Sequence, residues 1–229
     1  RFALHEGKED YYLAASRMVP YKRMDLIVRA FAALPDRRLI VVGDGPCYRR
    51  VRREGPSNVT FRGALGQDEL VETMQRARAL VFAALEDFGM VPVEAMACGT
   101  PVIAYGRGGT AETVIPGRTG VHFDRQDPQS IADAIRRFER AEHPWPPRTI
   151  RQWAEQFSAE RFRREFGDFL RETWQRFATD PASVRDPFAA MVRPDPSRKP
   201  DAGPEPPPPA CADAAGRLGL SPPDRSRRG

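Results

Sequence analysis

The sequence predicts an α/β protein whose ordered part is a doubly wound parallel sheet with C-terminal helices, followed by a disordered tail. Three observations carry this expectation. Short runs of β-branched and aromatic residues alternate with longer segments of helical periodicity, the pattern of strands joined by crossover helices. Most of these runs are apolar at successive positions, which suits strands covered by helices on both faces. Finally, apolar periodicity stops near Phe177, and residues 178–229 hold more than half of the 23 prolines, with an unbroken run at 206–209. Such a tail buries too little surface to offset the entropy of ordering it.

In chain order, strands are expected at 11–15, 38–42, 58–62, 79–83, 101–104 and 120–123. Helices are expected near 23–33, 47–53, 67–76 and 92–98, with a shorter turn near 110–114. A further helix at 128–140 has Asp127 as N-cap and Pro128 at its first position. After a linker containing Pro144, Pro146 and Pro147, two helices are expected at 149–157 and 159–177, with Ser158 as the N-cap between them. In the last helix Phe162, Phe166, Phe169, Leu170, Trp174 and Phe177 recur at three- and four-residue spacings. They form one aromatic face, expected to serve as structural core. Residues 1–177 are therefore expected to be one domain and 178–229 its tail.

Charge and cysteine content narrow the function classes. The net charge is +5, from 36 Lys and Arg against 31 Asp and Glu, but the basic residues of the ordered part are scattered among acids. A solvated surface accounts for them, and no nucleic-acid partner is expected. Three widely spaced cysteines, Cys47, Cys98 and Cys211, suggest neither a disulfide framework nor a zinc ligand set, and hence a reduced, cytoplasmic setting. The most hydrophobic stretch, 79–105, is interrupted by Glu86, Asp87 and Glu94, so no membrane span is expected.

In a doubly wound sheet, ligands lie beyond the carboxyl ends of the strands, so the residues just after each strand matter most. After the fourth strand comes Glu86-Asp87-Phe88-Gly89-Met90-Val91-Pro92-Val93-Glu94. This segment passes through a glycine into a helix, so backbone N–H groups around Phe88, Gly89, Met90 and Val91 are expected to form a cradle for phosphate or sugar oxygens. Glu94, as a helix-entry carboxylate, can accept hydrogen bonds from ribose hydroxyls, and Glu86 in the loop can hold hydroxyls of a transferred sugar. Taken singly, each is better read as an ordinary helix-dipole or loop acid; the spacing of the two around Phe88-Gly89 is more particular. After the first strand, Arg17 and Lys22 flank a proline turn and can converge on one diphosphate. Gly43, Asp44 and Gly45 follow the second strand as a tight turn that lets the backbone approach a ligand.

With its E-x-F-G-x-x-x-x-E spacing, the chain resembles the retaining glycosyltransferases of GT-B architecture, group one or family four. The resemblance spans about residues 11–177 and looks nearest to mannosyltransferase-like members. It implies that the chain is the Rossmann-like C-terminal half that binds a nucleotide diphosphate sugar, GDP-mannose-like by resemblance. It further implies that Arg17 and Lys22 grip the pyrophosphate, that Gly43-Asp44-Gly45-Pro46 is the G-x-G-P turn, and that the loop holding Leu65 seats the base. Glu112, after the glycine-rich run Gly106-Arg107-Gly108-Gly109, is implied as another donor contact.

The chain lacks the Asp-x-Asp metal motif of the other glycosyltransferase architecture, and Arg17, Lys22 and the amide cradle can stabilise the leaving diphosphate electrostatically, so no obligatory metal or cofactor is expected. The departure from the family is the N-terminal half, which supplies contacts to a glycan or lipid-linked acceptor; the chain begins where that half would end. In relatives the last helix packs on that half, so the resemblance also implies partial exposure of the aromatic face of 159–177. Weak donor binding and little or no turnover are therefore expected of this chain alone. Relatives with lipid-linked acceptors imply peripheral membrane contact of the whole enzyme, although no basic amphipathic helix here argues for it. The alternative is a non-catalytic nucleotide-sugar-binding or interaction module. A phospho-receiver is disfavoured because Ser16 and Arg17 stand where it needs acids, and an epimerase because its triple-glycine fingerprint and Tyr-x-x-x-Lys pair are missing.

Overall fold

Six short strands, β1 (Tyr12–Ala15), β2 (Leu39–Val42), β3 (Val59–Gly63), β4 (Ala79–Phe82), β5 (Val102–Tyr105) and β6 (Gly120–Phe123), pair in parallel in the order β3-β2-β1-β4-β5-β6. This is the architecture of a computed structural model that describes residues 2–141 and 145–180. Between the strands lie α1 (Met24–Ala32), α2 (Tyr48–Arg53), α3 (Gln67–Arg76), α4 (Met90–Ala97) and α5 (Gly109–Thr113). After β6 come α6 (Pro128–Glu139), α7 (Pro147–Ala154) and α8 (Ala159–Thr179). The doubly wound Rossmann-like sheet is thus as expected. Among the described residues, those up to Glu155 form one compact unit and 156–180 belong to a second.

Both faces of the sheet are buried, which is why the strands read as continuous apolar runs. On one face Tyr12, Ala14, Leu39, Val41, Val81, Ile103 and Phe123 meet α1 and α6 through Ile27, Phe31, Ile131 and Ile135. On the other, Leu13, Leu80, Phe82, Val102 and Ala104 meet α3, α4 and α7 through Met74, Met96 and Ile150. The edge strand β3 is only half covered.

Element boundaries depart from expectation where backbone chemistry overrides pattern. Pro101 has no N–H to give a ladder, so β5 starts at Val102, while the Pro101 carbonyl still accepts from Leu80 N at 2.9 Å. Helix α4 begins two residues early, because Gly89 takes a left-handed conformation (φ 80°) and serves as N-cap; Pro92 still falls in the first turn. Asp127 and Ser158 do cap α6 and α8, accepting from Ser130 N and Arg161 N.

Three expectations need comment. No residue of α8 is buried, and Phe162, Phe166, Phe169, Leu170, Trp174 and Phe177 are all exposed, so its aromatic face is not core. The helix also runs two residues into the segment assigned to the tail; residues 181–229 lie outside the described residues, as does Pro144. Among the cysteines, Cys98 is a free buried thiol, and Cys211 lies outside the described residues. No helix among the described residues is long and apolar enough to cross a membrane.

Candidate functional site

The strand order reverses between β1 and β4, which lie side by side at the centre of the sheet with Tyr12 opposite Ala79 and Leu13 opposite Leu80. Such a reversal opens a crevice at the carboxyl ends of the two strands. Both of the strongest sequence motifs emerge there.

After β1 the chain is stitched to the turn after β2. Ser16 N donates to Val42 O (3.1 Å), Met18 N to Asp44 O (2.9 Å) and Cys47 N to Met18 O (3.0 Å). The approach is so close that a Cβ on Gly43, which also has φ 126°, would sit 1.9 Å from the Ser16 carbonyl oxygen. Asp44 is spent on this turn, its Oδ1 accepting from Gly45 N at 2.7 Å. Gly43 N donates in turn to Gly63 O (2.7 Å), joining the loop that carries half-buried Leu65.

A one-turn 3-10 helix, Pro20–Lys22, follows, and Arg23 then adopts a left-handed conformation (φ 52°) at the N-cap of α1. For a residue with a Cβ this is strained backbone, on the order of 1 kcal/mol or more, retained where the surroundings over-determine it. The turn carries Lys22 across to the loop after β4, where its ammonium contacts the Glu86 carboxylate; both side chains are largely covered. Burial pushes the Lys22 ammonium below its ordinary pKa, while the carboxylate in contact favours the charged form. Arg17 is exposed and makes no ion pair among the described residues.

Glu86 stands on a loop interlocked with the glycine-rich run after β5. Gly109 N donates to Glu86 O at 2.7 Å, a Cβ on Gly109 would lie 2.4–2.5 Å from Phe88 backbone atoms, and one on Gly108 would lie 2.4 Å from Glu86 O. Only glycine lets the two loops meet. Phe88 and Met90 remain exposed beside this junction, and the N-cap of α4 is Gly89, which has no side chain to cap it. The first-turn N–H groups of such a helix are donors for a hydrogen-bond acceptor.

The predicted residues thus divide. Lys22 joins Glu86, the Glu86–Phe88 stretch joins Gly108 and Gly109, and the Gly43–Gly45 turn backs the Arg17 loop. Glu94 is not at the helix entry as expected; Gly89 starts the helix early, so Glu94 lies half-buried in the second turn, beyond half-buried Val91. Glu112 is exposed on α5. Two polar residues, one within β6 and one just after it, were missed. His122 Nε2 lies 3.1 Å from Thr110 O, and Gln126 Nε2 donates to Ala83 O at 2.7 Å. Inspecting the residues after this strand like the others would have found Gln126; His122 stands within the strand.

A concavity of 470 Å³ lies at this outer corner between Gly106, His122, Asp124, Arg125, Asp133 and Arg137. Its charged groups are already engaged, Asp124 by Ser130, Asp133 by Arg136 and Arg137 by the His122 carbonyl. It is not the crevice of the Lys22–Glu86 pair, which the strand reversal marks as the better ligand position. Among the described residues, no group of three or more His, Cys, Asp or Glu is arranged to hold a metal ion.

Known proteins share this fold. The chain is 34% identical to the GDP-mannose-dependent alpha-(1-6)-phosphatidylinositol monomannoside mannosyltransferase of Mycolicibacterium smegmatis, over 56% of this chain and 38% of that protein. It is also 34% identical to the D-inositol 3-phosphate glycosyltransferase of Streptomyces avermitilis, over 55% and 31%. Among solved structures, sucrose-phosphate synthase of Thermosynechococcus elongatus matches with a TM-score of 0.64 at 31% identity, over 73% of this chain and 46% of that one. Anabaena HepE in complex with UDP and glucose matches with a TM-score of 0.63 at 24% identity, over 71% and 48%, a likeness of fold. The chain spans less than half the length of each of these proteins. The family described as Glycosyl transferases group 1 matches residues 1–156, and the chain belongs to it.

Proposed function

We propose that this chain is the donor-binding half of a retaining GT-B glycosyltransferase and that a nucleotide diphosphate sugar lies in the crevice between β1 and β4. The observation that carries the reading is the Lys22–Glu86 contact across the strand reversal, with the uncapped start of α4 beside it. In this reading Arg17 and Lys22 take the charge that develops on the leaving diphosphate. The N–H groups of the Phe88–Val91 stretch add preorganised dipoles, a form of stabilisation worth about 3 kcal/mol per well-aimed donor. Glu86, freed in part from Lys22 when phosphate arrives, turns to sugar hydroxyls, and Glu94 to the ribose. Leu65 and the Gly43–Gly45 turn border the base, and Glu112 lies on the sugar side.

The similarity to a GDP-mannose-dependent relative supports guanine and mannose as the donor. The acceptor, a glycan or a lipid-linked sugar, belongs to the N-terminal half, so this chain alone binds donor weakly and transfers little or no sugar. No metal is required for the diphosphate in this scheme.

Calorimetric titration of GDP-mannose, GDP, UDP-glucose and UDP against the wild type, Arg17→Ala and Glu94→Ala tests the reading. The expected outcome is tightest binding of the guanine ligands, weakened about 10- to 100-fold by Arg17→Ala, as for loss of a charged hydrogen bond to phosphate. Binding by the wild type that both substitutions leave untouched would place the ligand elsewhere. Donor binding without transfer, even after the N-terminal half of a relative is supplied, would favour a non-catalytic module.

A further inference from the structure

We propose that the end of β6 and the turn after it position the candidate site, with His122 bracing α5 and Gln126 bracing the end of β4. Neither side chain belongs to the Lys22–Glu86 pair; each holds one of the two loops that interlock beneath it. The Thr110 carbonyl, 3.1 Å from His122 Nε2, can only accept, so that ring nitrogen carries the proton. The ring also fills the space where a Gly106 Cβ would stand, 3.0–3.2 Å from its Cβ, Cγ and Nδ1. The loop from β5 into α5 therefore rests on the imidazole. Burial keeps the ring below its ordinary pKa, against the carbonyls of Thr110 and Val114, which favour the charged form.

The second brace is independent of the first. Ala83 follows the last residue of β4 and is fully buried, and its carbonyl accepts from Gln126 Nε2 at 2.7 Å. That carbonyl lies three residues before Glu86, at the root of the loop. A buried carbonyl stripped of its donor is costly, so the loop root would move to find another. Through Gly109 N to Glu86 O and the glycine contacts with Phe88, movement of either loop displaces the other. His122 and Gln126 are thus positioning residues for the Lys22–Glu86 crevice. Only the ligand-binding part of this inference rests on the function proposed above.

The test uses residues 1–229 as the wild type, His122→Phe, His122→Gln and Gln126→Leu. Hydrogen exchange followed by mass spectrometry reads peptides covering 83–90 and 106–114, and calorimetry reads the dissociation constants of GDP and UDP. Exchange is expected to accelerate at 106–114 in His122→Phe and at 83–90 in Gln126→Leu, with nucleotide affinity falling about three- to tenfold in each, the worth of one net hydrogen bond. His122→Gln, whose amide can donate to the same carbonyl, is expected to recover most of both. Unchanged exchange in both apolar variants, or a His122→Gln variant as impaired as His122→Phe, overturns the inference. A wild type that binds neither nucleotide sinks the donor reading instead, and the exchange result still decides the positioning role.

Discussion

Two charged clusters at opposite ends of the strands show how single residues divide the work of this fold. At the amino ends, Glu139 accepts from Tyr12 Oη (2.8 Å) and from Arg37 through Nε (2.6 Å) and Nη2 (3.0 Å). Burial alone would raise the Glu139 carboxyl; the Arg37 and Tyr12 donors outweigh it and hold the group below the ordinary range. A folded-state value below the unfolded one means the stabilisation is present above the unfolded pKa, near 4.3, and is lost as pH falls through the folded value. Glu139→Gln is therefore expected to cost about 1–3 kcal/mol at pH 7, measured by urea unfolding, with the gap to wild type closing below about pH 4. A gap that stays constant with pH would mean the charge is not what matters. At the carboxyl ends, Lys22 meets Glu86 instead. The sequence placed both residues just after strands, but their contact depends on β1 neighbouring β4, a relation that no local pattern carries.

At the scale of elements, glycine decides where loops may touch. A Cβ at Gly109 would collide with Phe88 backbone, which cannot move aside as a flexible side chain would. Gly109→Ala is expected to destabilise by about 1–3 kcal/mol, in the range for overpacked sites, and to weaken GDP binding; an unchanged melting temperature and affinity would show the loops to be loosely held. The segment before β1 is tied to the opposite end of the sheet. Lys8 Nζ donates to Gln75 O (2.7 Å) and Thr100 Oγ1 (2.8 Å), and His5 N to Cys98 O (3.3 Å). Burial pulls the Lys8 ammonium down to about 8, against a smaller opposing influence of Cys98. Because the unfolded chain holds this proton more tightly, the penalty is complete below about pH 8 and relieved as pH rises toward 10.5. Wild-type stability is thus expected to gain on that of Lys8→Met between pH 8 and 10, by chemical denaturation at each pH; parallel curves would rule out the lysine as the source. Most elements were legible because periodicity and caps are local. The early start of α4 was not, since it turns on the left-handed conformation of Gly89.

For the molecule as a whole, the chain spans less than half of its longer relatives and belongs to Glycosyl transferases group 1 through residues 1–156. Helix α8 lies outside that match, and its large apolar residues are exposed; Trp174 is 69% accessible. Phe166→Glu and Trp174→Glu are therefore expected to change unfolding free energy by no more than about 0.5 kcal/mol, as for surface substitutions; a larger loss in urea titrations would reveal burial of that face. The amino-acid sequence by itself determined the alternation of strands and helices, the helix caps at Asp127 and Ser158, the glycine turns and the aromatic stripe of α8. Each follows from interactions within a few residues, where backbone sterics, hydrogen bonding and side-chain periodicity leave few choices. Only the tertiary structure decided the strand order, the Lys22–Glu86 contact, the braces of His122 and Gln126, and the exposure of the α8 face. These depend on which distant segments become neighbours, and hydrophobic periodicity marks a face for burial without naming the partner that covers it.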